Sequence, residues 1–212
     1  MNIAVFASGR GTNFAAIIRA IKKGKIKADL SLLVCDNPKA GAVARAKRAG
    51  IKVALVKRED FSAKKDFEDK IIQHLAENNI DLVILAGFMR LLSPELVSRY
   101  KNKILNIHPA LLPSFKGVHG IEDAFNYGVR VAGVTVHFVD ERMDHGPIVL
   151  QAAVKIEEND TLESLEAKIH KIEHRLYPEA IRLFVEGRLN IEARKVKIAN
   201  VSAFPKSLPG LK

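Results

Sequence analysis

Two short segments in the second half of the chain contain residue types that suit acyl transfer. The first is Asn106-Ile-His-Pro109, at the end of an apolar run that predicts a strand over Ile104–Ile107. Side chains alternate along a strand, so Asn106 and His108 would point to the same side of the sheet. An amide can stabilise an oxyanion while a neighbouring imidazole moves a proton. A His-Pro turn with both side chains satisfied locally is the simpler interpretation of this segment taken alone.

The second segment is Asp144-His-Gly-Pro147, which turn chemistry alone can explain. A carboxylate here could pair with a histidine, and we expect such a pair to favour the protonated imidazole and raise its pKa. His119 and His137, taken with His108 and Asp144, match no metal-ligand spacing. We therefore predict no metal site, and we expect both histidines to lie in the core or behind the site.

The third segment, Ser8-Gly-Arg-Gly-Thr-Asn13, follows a predicted strand and opens a predicted helix. Backbone amides in front of a helix N-terminus form a natural phosphate site. Gly11 allows close backbone approach, and Thr12 and Asn13 add side-chain donors. The segment lacks the Gly-Lys-Ser/Thr ending of a P-loop. A turn that caps the helix is an equally good interpretation.

The fourth segment, Gly87–Leu92, follows a predicted strand at Asp81–Ala86. An apolar loop with one arginine, Arg90, suits a flat anionic ligand. Core packing before a helix that begins near Pro94 is the alternative.

Strands and helices that alternate through the first half must position these segments. Strands are predicted at Asn2–Ala7, Leu30–Cys35, Lys52–Val56 and Asp81–Ala86, with helices at about 14–23, 40–49 and 63–77. This order predicts an α/β fold, a mostly parallel central sheet with helices on both faces. Such sheets bind ligands at the carboxyl ends of their strands.

The second half is less regular. Residues 108–120 show no period and contain two prolines, as functional loops often do. The β-rich segments Val131–Val139 and Ile148–Val154 flank a charged turn. A short strand or hairpin and a loose tail are predicted from about Leu189.

A long helix is predicted from Thr161, where apolar residues repeat at helical spacing. Asp160 and Glu163 are its predicted capping pair. Pro178 is expected to bend or interrupt it.

Composition narrows the class of protein. The 212 residues carry a net charge of +10 and are 48% hydrophobic. Basic residues are scattered and aromatic ones few, which favours a solvated surface over nucleic-acid binding. Cys35 is the only cysteine, so an internal disulfide is excluded, and its apolar setting predicts an inert thiol. With no signal peptide or membrane-length apolar run, we expect a soluble cytoplasmic protein.

Together and in this order, the segments resemble the folate-dependent formyltransferases, and among them the glycinamide ribonucleotide formyltransferases. The resemblance runs from the first strand to at least Gly187 and includes Ala86-Gly-Phe-Met-Arg-Leu-Leu-Ser-Pro94 and the Leu-Leu-Pro113 loop after His108. It implies a Rossmann-like formyltransferase fold and one domain over residues 1–212. Its parts would be a phosphate-binding half (1–103), a catalytic and folate-binding half (104–190), and a C-terminal strand and tail (191–212).

The resemblance also implies the reaction and its residues. A formyl group would pass from 10-formyltetrahydrofolate, a co-substrate, to the amine of glycinamide ribonucleotide in purine synthesis, without a metal and with a homodimer possible. The catalytic group would be Asn106, His108 and Asp144. Gly11, Thr12 and Asn13 would bind the substrate phosphate, and Glu173 would bind the substrate. The folate site would comprise Lys64, Met89, Arg90, Leu91, Leu92, Val97, Asn106, Asp140 and Met143.

Four positions depart from the family pattern. Thr12 replaces a common serine and keeps the hydroxyl. Lys64 replaces an arginine that often contacts the folate tail, so a bidentate contact is lost there. Ala110 replaces a serine, and His145 replaces a small residue, which we expect to alter the local pH response.

Three rival functions fit parts of the pattern. A methionyl-tRNA formyltransferase would fit the positive charge, but little chain remains after the long helix for an RNA-binding domain. A formyltetrahydrofolate hydrolase usually carries an extra domain before the first strand, which here begins at Asn2. A non-catalytic phosphate-binding module would leave Asn106, His108 and Asp144 individually dispensable.

Overall fold

The computed structural model describes residues 1–199, and within that range nine strands form one sheet. The strands are β1 (Asn2–Phe6), β2 (Asp29–Cys35), β3 (Lys52–Leu55), β4 (Leu82–Leu85), β5 (Ile104–His108), β6 (Val131–Phe138), β7 (Ile148–Lys155), β8 (Leu189–Glu192) and β9 (Lys195–Ile198). Their order across the sheet is β3-β2-β1-β4-β5-β6-β7-β9-β8.

The first five strands run parallel to one another. They read as continuous apolar runs because helices cover both faces of the sheet. In β1, Ile3 and Val5 join one core cluster, whereas Ala4 and Phe6 join the other. The predicted α/β class with a mostly parallel sheet is confirmed.

Six α-helices pack on these two faces within the described range. They are α1 (Thr12–Lys22), α2 (Gly41–Ala49), α3 (Lys64–Glu77), α4 (Pro94–Arg99), α5 (Gly120–Tyr127) and α6 (Leu162–Val185). Buried residues of α1, α2, α5 and α6 belong to one cluster, and those of α3 and α4 to the other. Helix α5 was not predicted; it has only eight residues and no side chain that caps its start.

Pairing becomes antiparallel between β5 and β6, and this change builds part of the site. Asn106 lies opposite His137, and His108 lies opposite Thr135. β6 and β7 then form a hairpin whose connection, residues 140–147, we call the Asp144 loop. The register therefore places His137 beside Asn106, a proximity that strand prediction alone does not reveal.

Helix α6 differs from its prediction in two ways. Its cap is a reciprocal pair, in which the Thr161 side chain accepts from the Ser164 amide and the Ser164 side chain accepts from the Thr161 amide. Asp160 and Glu163 are therefore not the capping pair. The helix also continues through Pro178 without interruption. The buried Tyr177 hydroxyl donates to the carbonyls of Leu85 and Leu105, which ties this part of α6 to the sheet.

The remaining predictions concern the C-terminus and Cys35. β8 and β9 form the predicted hairpin, and one face of it packs on the core. The predicted tail lies mostly in residues 200–212, outside the described range. Cys35 is buried, as expected. Among residues 1–199, none of the helices combines the length and apolar character needed to cross a membrane.

Candidate active site

A cleft of about 420 Å³ opens where the carboxyl ends of β1, β4 and β5 meet. The turn after β1, the loop after β4, the end of β5, the Asp144 loop and the middle of α6 line it. This is the edge at which parallel sheets bind ligands. Apart from Lys64, the predicted site residues all line this cleft.

One end of the cleft is formed by the turn that opens α1. Gly11 precedes the helix with φ of 70°, and no described side chain caps it. An uncapped helix start retains free N–H groups that can bind an anion. Gly11 also packs tightly against α2, since a Cβ there would lie 2.9 Å from the Cα of Ala42. Glycine is thus required for both conformation and space.

A buried carboxylate lies beside this turn. Glu173 of α6 is only 4% exposed. Its Oε2 accepts from the Asn13 side-chain amide at 3.0 Å and lies 2.8 Å from His170 Nδ1. The hydrogen bond to Glu173 raises the pKa of His170 and so favours its protonated form. The Arg10 guanidinium lies 3.4 Å from His170 Nε2, which places a second basic group at this end.

Asn106 is oriented by its neighbour across the β5–β6 pair. His137 Nδ1 lies 2.7 Å from the Phe138 carbonyl, so Nδ1 must carry the hydrogen. In the neutral ring, Nε2 is then an acceptor, and it lies 3.1 Å from the Asn106 amide nitrogen. An amide nitrogen has two hydrogens, so Asn106 keeps one for an acceptor in the cleft.

His108 is the most enclosed member of the group, at 3% exposed. Its Nε2 donates to the Phe115 carbonyl at 2.7 Å, which leaves Nδ1 as the atom that gains or loses a proton. Nδ1 lies 3.5 Å from Asp144 Oδ2. Burial lowers the pKa of His108 by more than Asp144 raises it. The predicted pairing is therefore present, but the predicted net rise in pKa is wrong, because desolvation disfavours the imidazolium.

Asp144 has a left-handed backbone, with φ of 48°. Its Oδ2 accepts from the Gly117 amide at 2.8 Å, and its Oδ1 lies 3.7 Å from His137 Nε2. Burial raises the pKa of Asp144, but the adjacent His137 ring, the hydrogen bond from the Gly117 amide and the adjacent His108 ring lower it to a net value below the usual one. Asp144 therefore stays ionised between two histidines.

The other end of the cleft is apolar. Met89, Leu91 and Met143 are more than half exposed at its rim, whereas Leu92 and Val97 are buried behind them. Such exposed apolar groups around an opening suit an apolar ring system. Arg90 is already engaged, because its Nε donates to Asp36 at 2.5 Å and its guanidinium lies over the Phe67 ring.

Two predicted residues lie elsewhere. Lys64 begins α3, pairs with Glu68 at 3.7 Å and lines a separate small depression. His119 is 69% exposed beside Glu122, and so lies neither in the core nor behind the site. Within residues 1–199, no group of three or more His, Cys, Asp or Glu side chains is arranged to hold a metal ion.

Comparison with known proteins identifies the family. Residues 1–181 match the family described as formyl transferase. The phosphoribosylglycinamide formyltransferase of Bacillus subtilis is 47% identical over 84% of this chain and 92% of its own length. The chain belongs to the formyl transferase family. The Haemophilus influenzae phosphoribosylglycinamide formyltransferase is 40% identical over 97% of this chain and 96% of its own length.

A solved structure supports the membership. Glycinamide ribonucleotide transformylase 1 from Symbiobacterium toebii superposes on this chain with a TM-score of 0.91 at 44% identity, and the match covers 93% of both chains. The fold of this formyl transferase is therefore that of a glycinamide ribonucleotide transformylase.

Sequence reasoning gave no role to two groups that line the formyl transferase cleft. They are Arg10, which the sequence pattern places only in the turn before α1, and His170, which belongs to none of the four segments. His170 stands three residues before Glu173, so both lie on one face of α6. That helical spacing was the signal that could have revealed it.

Proposed function

We propose that this protein transfers a formyl group from 10-formyltetrahydrofolate to the amine of 5'-phosphoribosylglycinamide, giving formylglycinamide ribonucleotide and tetrahydrofolate in purine synthesis. The observation that carries the proposal is the cleft itself. It joins a helix start suited to an anion, an Asn–His–Asp group whose histidine is buried, and an apolar mouth in a member of the formyl transferase family. These parts match the phosphate, the reacting centre and the folate ring in that order.

The helix start would bind the substrate phosphate. Gly11, Thr12 and Asn13 supply backbone amides and side-chain donors, and His170, whose pKa the hydrogen bond to Glu173 raises, would add positive charge when protonated. Glu173, held by Asn13 and His170, would accept from substrate hydroxyl groups. A carboxylate this deeply buried tolerates burial because it is hydrogen-bonded.

The Asn–His–Asp group would act at the formyl carbon. Attack by the amine develops negative charge on the formyl oxygen, and the free hydrogen of the Asn106 amide would stabilise that charge. The lowered pKa keeps His108 neutral at pH 7, so its Nδ1 can accept a proton. Asp144 would then stabilise the imidazolium and support proton transfer to the leaving nitrogen.

The apolar end would hold the folate. Met89, Leu92 and Val97 suit a flat ring, and the loop that carries Asp140 and Met143 completes the mouth. In this proposal Arg90 and Lys64 act on the folate site only indirectly. Each side chain already forms an ion pair, Arg90 with Asp36 and Lys64 with Glu68.

The test is an absorbance assay of tetrahydrofolate release by purified protein given 10-formyltetrahydrofolate. Release that requires the ribonucleotide supports the proposal. Release without it indicates a hydrolase. Absence of release from folded protein, together with tight and salt-sensitive binding of initiator tRNA, indicates a methionyl-tRNA formyltransferase, the alternative that would fit the +10 charge.

The proposal includes a cytoplasmic location and allows a homodimer. Light scattering on the purified protein would decide the assembly, because a dimer has twice the mass of the chain. Fractionation of cells would test the location.

A further inference from the structure

The Asp144 loop holds its principal residue in an unfavourable backbone. Asp144 has φ of 48°, in the left-handed region that residues with a Cβ adopt uncommonly, although Asn and Asp adopt it more often than the others. Such a conformation persists only where the surroundings determine it. The contacts that hold the loop therefore decide where the Asp144 carboxylate lies.

Two of these contacts come from within the fold. Gly146 packs so closely that a Cβ there would lie 1.9 Å from the Phe138 carbonyl oxygen. On the cleft side, the Gly117 amide donates to the Asp144 carboxylate at 2.8 Å. Neither contact is a hydrogen bond to the peptide between His145 and Gly146.

A third contact comes from the β8–β9 hairpin, and it reaches that peptide. Arg194 lies in the hairpin turn, and its Nη2 donates to the His145 carbonyl at 2.7 Å. Its Nη1 lies 3.1 Å from His145 Nε2. His145 Nδ1 lies 2.7 Å from Asp140 Oδ2. The same Nη1 lies 3.3 Å from His145 Nδ1, so the guanidinium lies against the imidazole ring, whose Nδ1–H donates to Asp140.

The β8–β9 hairpin joins the sheet directly beside the Asp144 loop. Its one ladder contact with the described sheet pairs Lys195 with Ile148, the first residue after the loop. Leu189, Ile191 and Val196 pack on the core and fix the hairpin in place. The hairpin thus presents Arg194 to the loop from a supported position.

We propose that Arg194 is a positioning residue of the active site, which holds Asp144 in place through the His145 carbonyl and the Asp140–His145 pair. The inference rests on the role given to Asp144 in the proposed function. Arg194 is exposed, so its bonds compete with water and its effect is moderate.

The test compares Arg194→Ala, Arg194→Lys and Lys195→Ala in the full chain. Lys195→Ala is the matched control, because it removes an exposed cation from the next position of the same hairpin. We expect Arg194→Ala to lower kcat by about three- to tenfold, because the variant loses one charge-assisted hydrogen bond. The KM for glycinamide ribonucleotide should not change, since the phosphate end is remote from the loop. Arg194→Lys should recover part of the rate, and Lys195→Ala should match wild type.

A second readout does not depend on turnover. Amide hydrogen exchange in residues 141–146 should be faster in Arg194→Ala than in Lys195→Ala, at equal Tm. Equal exchange and equal kcat in these two variants would overturn the inference. A rate loss that only follows a loss of Tm, without recovery in Arg194→Lys, would also overturn it. If the wild-type protein transfers no formyl group, the proposed function is contradicted. Hydrogen exchange would then still show whether Arg194 holds the Asp144 loop.

Discussion

The two ends of the cleft are built in different ways. At the end proposed to bind phosphate, one local turn shapes the backbone of Gly11–Asn13, and close packing on Ala42 fixes it. At the proposed reacting centre, Asn106, His108 and Asp144 are side chains, and each is oriented by a residue of another segment. A site made of backbone depends on one conformation, whereas a site made of side chains depends on every partner. The second kind is therefore more sensitive to single polar substitutions.

The largest expected effect is at the reacting centre. His108→Ala and Asp144→Asn should each lower kcat by about 10² to 10⁴-fold, the range for general acid–base groups. Both variants should fold normally, as measured by circular dichroism. In Asp144→Asn the pKa of His108 should fall further, because the Asp144 charge is what raises it against burial. Turnover close to wild type in either variant would contradict the assigned roles and favour a non-catalytic phosphate-binding module.

The same contrast explains what could be predicted from the sequence. The turn around Gly11 and the residue types at 106, 108 and 144 are visible locally, and so is the alternation of strands and helices. The pairing of Arg10 with His170 joins residues 160 positions apart, and nothing local indicates it. The direction of the His108 pKa shift depends on how deeply the ring is buried, which only the assembled fold decides.

Errors in the helices also have local causes. The cap of α6 was placed one residue too early because Asp160 is itself a good capping residue. In the structure its carboxylate instead accepts from Ser164 and pairs with Lys168. Of the bend or interruption expected at Pro178, the interruption does not occur, because residues around it are buried against the sheet and hold the helix together. Tertiary packing here outweighs local preference.

The second-largest effect is expected for a substitution at the end of the cleft proposed to bind phosphate. Gly11→Ala would place a Cβ 2.9 Å from Ala42 in a left-handed backbone, so the turn must shift. We expect the KM for glycinamide ribonucleotide to rise roughly 10- to 100-fold, corresponding to about 1.4 to 2.8 kcal/mol, with a smaller change in kcat. Steady-state kinetics would measure both constants. Gly9→Ala is the control in the same turn, because its Cβ meets nothing within 4 Å. Equal KM values for the two variants would show that close packing does not shape the phosphate end.

A smaller effect is expected where α6 joins the two ends. Tyr177→Phe removes a buried hydroxyl that donates to Leu85 and Leu105, carbonyls of the strands whose ends form the cleft. Leaving buried acceptors without this donor should lower the free energy of unfolding by about 1 to 3 kcal/mol, measured by urea denaturation. Tyr127→Phe is the matched control, since Tyr127 is 80% exposed and should change stability little. Equal loss in both variants would mean that the Tyr177 hydroxyl does not fasten the helix.

The smallest effect concerns pH. Partial burial raises the pKa of Asp140, but the hydrogen bonds from His145 and the Arg142 amide, with the nearby Arg194 charge, lower it overall. A carboxylate with a lowered folded-state pKa supports the loop above its unfolded pKa and loses that support as pH falls through the folded value. His145→Ala removes the largest of the lowering contacts, so Asp140 should gain its proton at a higher pH. We expect the His145→Ala rate at pH 7.5 to lie within about threefold of wild type, because a single exposed contact contributes little free energy. As pH is lowered, the rate of the variant should begin to fall at a higher pH than that of wild type. Rate–pH profiles of the two proteins that superimpose would show that His145 does not tune the loop, and would leave Arg194 to hold it through the backbone carbonyl alone.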